Sequence, residues 1–239
     1  MKQIKTTIMK KQILLFLSFL FIYGCSSSSD DNVNATSVTD IDGNVYQKVT
    51  ICDQIWTQSN LNVSKYRNGD VIPQVTDPTE WANLTTGAWC YYNNDSANGA
   101  IYGKLYNWYA VNDSRGLAPS GWHIPSDAEW NTIINCLDPN ANIGNTFYNV
   151  AGGKMKSTGT SLWESPNTDA TNSSGFTGLP GGTRYDDTFG DVGLYGQWWS
   201  STENNDTYAS YRFLKSSESS LDKYEYEKIY GLSVRCIKD

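Results

Sequence analysis

The sequence predicts an α+β domain, because strand-like runs lie at the two ends of the chain and helical patterns lie between them. Val45–Ile51 is rich in β-branched residues, as strands are, and Leu232–Ile237 also has the composition of a strand. Between them, Ser126–Leu137 carries several helix signals at once. A sheet built from the far ends of a chain, with two helices between, is typical of a small, mostly antiparallel α+β domain.

The central helix is predicted from a capping box and an apolar stripe. Ser126 is placed to cap the first turn, and Glu129, three residues on, can reach back to its amide. Asp138-Pro139 ends the helix. The apolar residues recur at i, i+3, i+4 and i+7 and must face a core; they are Trp130, Ile133, Ile134 and Leu137.

Tyr102–Val111 is the second predicted helix, with Leu105, Trp108 and Tyr109 on one face. Two amphipathic helices need an apolar surface to bury against, and the sheet is the largest one that the pattern offers. We therefore expect Trp130 to pack on the sheet, with Leu105 and Trp108 nearby.

The other segments predict short strands and long loops. Asp53-Gln54 is a turn, so Ile55-Trp56 begins a return strand. Residues 144–196 are rich in Gly, Thr, Ser and Asn and sustain no helical period, which is typical of long loops. The remaining predicted strands are Trp89–Tyr92, Gln197–Ser201 and Thr207–Leu214.

Composition limits the number of domains and the kinds of partner. A chain of 239 residues with 39% apolar residues suits one domain plus a targeting segment. Its formal charge is -7, and four of its 18 basic residues lie in the first 11 positions. The rest of the chain keeps 14 basic against 25 acidic residues, a net charge of -11. An acidic surface argues against nucleic acid and anionic lipid headgroups as partners.

Residues 1–24 predict an export signal, because a basic start precedes the apolar run Ile13–Tyr23, which is too short to span a bilayer. Ile22-Tyr23-Gly24-Cys25 resembles a bacterial lipobox, whose cysteine receives lipid; an ordinary signal peptide with a chance cysteine is the alternative. Residues 25–37 indicate a tether by composition. Their Ser-Asp-Asp core resembles the signal that sends Bacteroidetes lipoproteins to the outer face of the outer membrane. We therefore expect a lipid on Cys25 and a surface-exposed domain over residues 38–239.

Four cysteines remain after Cys25, and an even number in an oxidising compartment predicts two disulfides. They are Cys52, Cys90, Cys136 and Cys236. Three pairings are open, and the spacing does not choose among them. The chain has no Cys-x-x-Cys and a single histidine, so it offers no Cys/His zinc site.

Seven short segments carry a family resemblance. They are Asp42–Tyr46, Trp89–Asp95, Tyr102–Val111, Gly121–Trp130, Gly175–Gly182, Trp198–Glu203 and Ser233–Ile237. In this order they resemble the Fibrobacter succinogenes major paralogous domain of Bacteroidetes and Fibrobacteres lipoproteins, over about residues 40–239. Ala118 stands where that family often has a cysteine, so the resemblance does not settle the disulfide pairing.

The resemblance implies a C-type-lectin-like fold, similar to that of formylglycine-generating enzymes. Those enzymes have a Trp-containing helix followed by Leu-Pro-Thr-Glu-Ala-Glu-Trp, which residues Tyr102–Glu129 resemble. They oxidise a substrate cysteine with two cysteines that lie late in the chain. Here Trp198–Leu214 contains no cysteine, and Cys236 stands alone in the last predicted strand. We therefore do not expect that chemistry.

An aromatic platform for sugar rings is one candidate ligand site. Trp198 and Trp199, with Tyr195, Tyr208 and Tyr211, present broad apolar ring faces near the C-terminal strands. Adjacent residues of a strand point to opposite faces, so at most one of the two tryptophans is exposed if the other is in the core.

Three polar turns offer the hard oxygen ligands that calcium prefers. They are Asn93–Asp95, Asp186-Asp187 with Asp191, and Glu203-Asn204-Asn205-Asp206. Each also has the composition of an ordinary turn. C-type lectins that bind sugar through calcium use Glu-Pro-Asn, whereas Glu164-Ser165-Pro166-Asn167 contains one inserted residue. We expect no cofactor and keep calcium as the alternative.

The leading functional hypothesis is a non-enzymatic, monomeric module at the cell surface that binds a glycan or a protein through loops between Gly144 and Asn205. His123, the only histidine, lies before a helix cap and has no Ser/His/Asp set around it in the pattern, so we expect a packing or hydrogen-bonding role. The alternatives are an envelope enzyme, including one of the formylglycine-generating type, and a structural envelope component without a ligand.

Overall fold

The first and last strands of the domain meet in one five-stranded sheet, in a computed structural model that describes residues 36–141 and 149–239. The strands are β1 (Ser37–Thr39), β2 (Val45–Ile51), β3 (Gln54–Thr57), β4 (Trp89–Cys90), β5 (Leu105–Tyr106), β6 (Trp122–His123), β7 (Thr183–Arg184), β8 (Phe189–Gly190), β9 (Tyr195–Glu203), β10 (Tyr208–Lys215), β11 (Leu221–Glu227) and β12 (Ile237–Lys238). The helices are α1 (Pro78–Ala82), α2 (Ser96–Tyr102), α3 (Trp108–Val111), α4 (Asp127–Leu137) and α5 (Ala151–Met155), with a 3-10 helix at Tyr92–Asn94.

The chain is mixed α and β, as the sequence predicts, with small antiparallel sheets and short helices. The largest sheet has the order β1-β2-β3-β12-β6, so it joins the two ends of the domain. A second sheet has the order β11-β10-β9. The predicted signal peptide 1–24, the lipidation site Cys25 and most of the tether 25–37 lie outside the described residues. Within the two described ranges, no helix has the length and apolar character needed to cross a membrane.

The capping box of α4 is confirmed. The Ser126 hydroxyl accepts a hydrogen bond from the Glu129 amide, and the Glu129 carboxylate accepts one from the Ser126 amide at 2.7 Å. The helix ends at Leu137, before Asp138, as predicted. Trp130 packs on the five-stranded sheet through Trp56 of β3, with ring centroids 4.7 Å apart.

The second predicted helix is wrong, because Tyr102–Val111 is divided among three elements. Gly103 ends α2 with φ 77°, and a Cβ there would lie 2.8 Å from the Leu61 carbonyl oxygen. Strand β5 follows, and Asn107 then caps the single turn of α3 by accepting from the Ala110 amide at 3.1 Å. Leu105 and Trp108 belong to other apolar clusters than Trp130, so they do not pack beside it as expected.

The C-terminal strands differ in part from those predicted. Strand β9 extends the predicted Gln197–Ser201 at both ends, and β10 begins and ends one residue later than the predicted Thr207–Leu214. Of the predicted strand Leu232–Ile237, only the last residue is in β12. Leu232 and Ser233 instead form isolated bridges, with Tyr106 of β5 and Trp198 of β9. Strand β11 and helices α1 and α5 were not predicted. The first strand begins at Ser37, so the domain includes the last residue assigned to the tether.

One disulfide forms where two were expected. Cys52, in the turn between β2 and β3, is bonded to Cys136 near the end of α4, with 6.5 Å between the Cα atoms. Cys90 and Cys236 are buried and unbonded, in two different apolar clusters. Burial raises the pKa of the Cys90 thiol to about 12, so it stays protonated and unreactive at neutral pH.

Candidate functional site

The two tryptophans proposed for the platform are both fully buried, so neither can stack on a ligand. Trp198 faces the cluster of Trp130 and donates its indole N–H to the Asn60 side chain at 2.8 Å. Trp199 faces the opposite cluster and donates to the Tyr106 carbonyl oxygen at 2.8 Å. Alternation along β9 is as expected, but apolar residues cover the strand on both faces at this point, and the prediction of an exposed tryptophan is therefore wrong.

The second set of predicted ligand residues, Glu203–Asp206, is exposed at the end of β9 and in the turn that leads to β10. Its polar groups are largely used by the hairpin itself. Glu203 pairs with Lys228. The Asn204 side-chain amide donates to the Glu225 carboxylate at 2.7 Å. The Asn205 side-chain oxygen accepts from the backbone amides of Thr207 and Tyr208. These oxygens do not converge on the buried tryptophans, so the structure does not bring the predicted residues together as one site.

The other two candidate calcium turns are also hydrogen-bonded locally. Asp95 caps α2 by accepting from the Ala97 amide at 2.9 Å, and Asp186 accepts from the Asp187 amide at 3.0 Å. Across residues 36–141 and 149–239, no three His, Cys, Asp or Glu side chains are grouped so as to hold a metal ion.

A cavity with a volume of about 410 Å³ lies on the β9-β10-β11 sheet. We call it the aromatic groove, because six of its nine lining side chains are aromatic. The lining residues are Tyr185, Asp191, Tyr195, Gln197, Tyr211, Phe213, Lys215, Tyr224 and Tyr226. Its volume lies within the range of small-molecule sites, which is roughly 300–1,000 Å³.

Strand alternation explains how the groove forms. Tyr195 and Gln197 of β9 pair in register with Lys215 and Phe213 of β10, so these side chains share one face of the sheet. Tyr224 and Tyr226 of β11 extend that face. The same face is covered by apolar residues at Trp199 and opens as a groove toward Tyr195, which lies at the other end of β9.

The walls of the groove combine packed rings with one exposed ring. Tyr211 and Tyr226 stack in parallel, with centroids 4.2 Å apart and an interplanar angle of 9°. Tyr185 and Tyr195 are half-buried, whereas the Tyr224 side chain is the most accessible, with 61% of the residue exposed. The packed rings give a fixed wall, and Tyr224 offers a free face at its edge.

The polar groups of the groove are held in place. Asp191 accepts hydrogen bonds from the Tyr185 hydroxyl at 2.6 Å and from Gln197 at 3.2 Å. Burial, together with the hydrogen bond to Asp191, raises the pKa of Tyr185 well above its ordinary value, so the phenol stays neutral. Lys215 pairs with Glu218 at 2.9 Å, and its ammonium lies 5.4 Å from the Phe213 ring centroid.

The lining of the groove is mostly aromatic and has few polar groups. The lining contains one carboxylate, which is already hydrogen-bonded, and no serine, cysteine or histidine. A glycosidase-like mechanism requires two carboxyl groups facing one bond. What the groove offers is ring faces for apolar contact and fixed donors and acceptors at their edges.

Several groove residues were missed by the sequence analysis. Tyr195 and Tyr211 were named for the platform and do line the groove, whereas Tyr208 does not. Tyr224 and Tyr226 were missed because β11 was not predicted. Their period of two in Asp222-Lys-Tyr-Glu-Tyr226 is the signal that would have indicated a strand with one aromatic face.

His123 lies in β6, at the edge of the five-stranded sheet, and links Asp239 to Glu129 of α4. Its Nδ1 lies 2.7 Å from an Asp239 carboxylate oxygen, and its Nε2 lies 2.7 Å from the Glu129 carboxylate. Burial works against the charged ring, but hydrogen bonds to Asp239 and Glu129 outweigh it and raise the pKa of His123. A hydrogen-bonding role, as expected, follows from these contacts.

Replacing His123 with glutamine should therefore have a pH-dependent effect on stability. The raised pKa in the folded state means that the charged histidine stabilises the domain below its unfolded pKa, and that this contribution disappears as pH rises through the folded pKa. At about pH 5.5 we expect a loss of only about 0.5 kcal/mol, because the side chain is 40% exposed and screened by solvent. Urea unfolding from pH 5.5 to 9 measures it; a constant difference between variant and wild type would contradict the assignment.

A comparison with known families gives a match. The family model described as the Fibrobacter succinogenes major domain matches residues 49–238. The match includes β3, α4, the aromatic groove and β12. Comparisons with curated proteins and with solved structures gave no match. Because the model spans most of the chain, the protein belongs to the Fibrobacter succinogenes major domain family.

Proposed function

We propose that the domain is a non-enzymatic module that binds a glycan in the aromatic groove. The observation that carries this proposal is the exposed ring of Tyr224 beside the fixed wall of Tyr211 and Tyr226. The C–H faces of a sugar ring are apolar and pack on aromatic rings, while its hydroxyl groups need donors and acceptors at the ring edge. Asp191 and Gln197 supply such groups.

A glycan fits the groove better than a protein partner does. The groove is a single concave site of about 410 Å³, whereas stable protein–protein interfaces bury about 1,600 Å² over flatter surfaces. Calcium is not part of the proposal, because Asp191 is the one carboxylate that lines the groove and calcium takes about six to eight oxygen ligands. The C-type-lectin-like fold stays part of it, supported by the joined chain ends, the small antiparallel sheets and the long loops.

The enzyme alternative has less support. Oxidation of a substrate cysteine requires two accessible cysteines close together, and the two unbonded cysteines, Cys90 and Cys236, are buried in separate clusters. A turnover assay on the full chain with thiol peptides, with and without metal ions, decides between the two functions. Turnover would overturn the proposal.

Replacing Tyr224 with alanine should weaken glycan binding about two- to tenfold, which corresponds to the roughly 0.5–1.5 kcal/mol of an aromatic contact. The mutation removes the exposed ring and leaves the stacked pair Tyr211–Tyr226 in place. A glycan array probed with the full chain identifies a ligand, and calorimetry with that ligand then gives the affinities of wild type and variant.

Tyr208→Ala is the matched control, because Tyr208 is a partly exposed tyrosine of the same sheet that does not line the groove. Its affinity should equal that of the wild type, and a calcium chelator should change neither. Equal loss in both tyrosine variants, or no loss in Tyr224→Ala, would count against the groove.

We also propose that a lipid on Cys25 anchors the domain to the outer membrane, on its outer face, with residues 26–36 as the spacer. Cys25→Ala should move the protein from the detergent phase to the aqueous phase in cloud-point partitioning. A variant that stays in the detergent phase would show another means of attachment.

A further inference from the structure

A second cleft lies at Arg67 and shares no lining residue with the aromatic groove. It consists of two cavities, of about 270 and 240 Å³, that meet at Arg67, Leu117 and Ala118. We call their combined space the Arg67 cleft. A side chain shared by two adjoining cavities is accessible to a ligand in either one.

The Arg67 guanidinium is held in one position before any ligand binds. Its Nε donates to the Ala118 carbonyl at 3.1 Å and its Nη2 to the Trp122 carbonyl at 2.8 Å. Gly116, with φ 79°, lies against the same group, and a Cβ there would be 3.3 Å from the guanidinium carbon. A fixed guanidinium loses little conformational entropy when it binds an anion.

Arg67 also lacks a carboxylate partner, unlike the other cations of the cleft. Lys65 pairs with Asp42 at 3.2 Å, and His123 contacts two carboxylates. Among the described residues, no carboxylate lies within ion-pair distance of Arg67, and its Nη1 makes no hydrogen bond. Asp40, which lines the first cavity, is occupied by the Tyr46 hydroxyl at 2.6 Å.

The walls on both sides of Arg67 are largely apolar. They include Ile41, Val63 and Pro119 in the first cavity and Val111 and Ile124 in the second. We infer that the Arg67 cleft binds a carboxylate carried on an apolar body, with the carboxylate on the guanidinium and the apolar part along these walls. A polyanion fits less well, because the protein carries a net charge of -7 and the cleft offers one unpaired cation.

The test is a ¹⁵N NMR titration of the full chain with hexanoate, its neutral isostere hexanamide and inorganic phosphate. We expect hexanoate to shift the Leu117 and Ala118 amides saturably, and hexanamide and phosphate to bind about tenfold more weakly or not at all. Arg67→Met keeps the aliphatic stem and should weaken hexanoate binding about tenfold. Arg115→Met is the matched control, because Arg115 is already paired with Asp113 and Asp70; it should bind hexanoate as the wild type does.

The wild-type comparison decides the matter even if Arg67→Met does not fold. Equal binding of hexanoate and hexanamide, tighter binding of phosphate, no binding of hexanoate, or a folded Arg67→Met with unchanged affinity would each overturn the inference. A titration with N-acetyl-leucine identifies the kind of molecule that carries the carboxylate. Tighter binding than that of hexanoate indicates a peptide C-terminus, and weaker binding indicates a free aliphatic acid. Both outcomes support a carboxylate site.

Discussion

Replacing Arg235 with methionine is expected to destabilise the domain by about 3–5 kcal/mol, the usual cost of removing one partner from a buried charged network. Arg235 is fully buried, and its guanidinium donates to four oxygen atoms. They are Asn60 Oδ1 at 2.6 Å, the Thr57 and Phe176 carbonyls at 2.8 and 2.9 Å, and the Thr177 carbonyl at 3.1 Å. The variant removes all four of these hydrogen bonds, and Asn60 Oδ1 keeps the one from the Trp198 indole N–H.

The position of Arg235 explains why the effect should be large. It joins β3 to the segment before β12 and to the loop at Phe176, and its guanidinium carbon lies 4.3 Å from the Phe176 ring centroid. Burial lowers the pKa of Arg235 to about 9, because neutral oxygens and not a carboxylate hold the charge. The cost of burying this charge is offset only while the guanidinium keeps these four hydrogen bonds.

Urea unfolding followed by tryptophan fluorescence measures the loss. Arg115→Met serves as the control, because Arg115 pairs with Asp113 and Asp70 at the surface and should cost less than about 1 kcal/mol. If the two variants lost the same stability, the network around Arg235 would not be a main support of the fold.

Short sequence patterns were sufficient to predict the elements that are stabilised by contacts between residues close in sequence. The capping box of Ser126 and Glu129 and the β2–β3 hairpin each depend on residues close in sequence, and both are confirmed. Tyr102–Val111 carried an equally clear apolar pattern, yet Gly103 interrupts it where the backbone approaches Leu61. That approach is a tertiary contact, so no local pattern could have indicated it.

The candidate site could be predicted only in part, because it also depends on contacts between residues that are distant in sequence. Alternation along β9 correctly separates Trp198 from Trp199, but burial depends on what covers each face. The covering residues are distant in sequence: Phe176 packs on Trp198, and Tyr106 accepts the indole hydrogen bond of Trp199. The groove depends in addition on β11, which was not predicted.

The even cysteine count wrongly predicted two disulfides, because it takes no account of where the cysteines lie in the fold. Cys52 and Cys136 meet because the β2–β3 turn lies beside the end of α4. Cys90 instead packs with Trp81 and Leu105, while Cys236 lies in the cluster of Tyr106 and Trp199. Two buried thiols in separate clusters behave as small apolar side chains.

Replacing Trp130 with alanine is expected to cost about 3–5 kcal/mol, the usual loss for a large buried aromatic side chain. Trp130 is fully buried and packs against two aromatic rings. Its ring centroid lies 4.7 Å from that of Trp56 and 5.9 Å from that of Phe176. Because its cluster joins α4 to the five-stranded sheet, the cavity cannot close without moving the helix.

Ser126→Ala tests the same helix without a core cavity and should cost only about 1 kcal/mol, the usual contribution of an N-cap. Thermal melts of both variants therefore separate packing from capping within α4. A domain of ordinary stability, about 5–15 kcal/mol, would be left near its unfolding threshold by Trp130→Ala but not by Ser126→Ala. If Trp130→Ala melted no earlier than Ser126→Ala, the stripe on α4 would not be held against the sheet, and its apolar face would become a candidate surface for a partner.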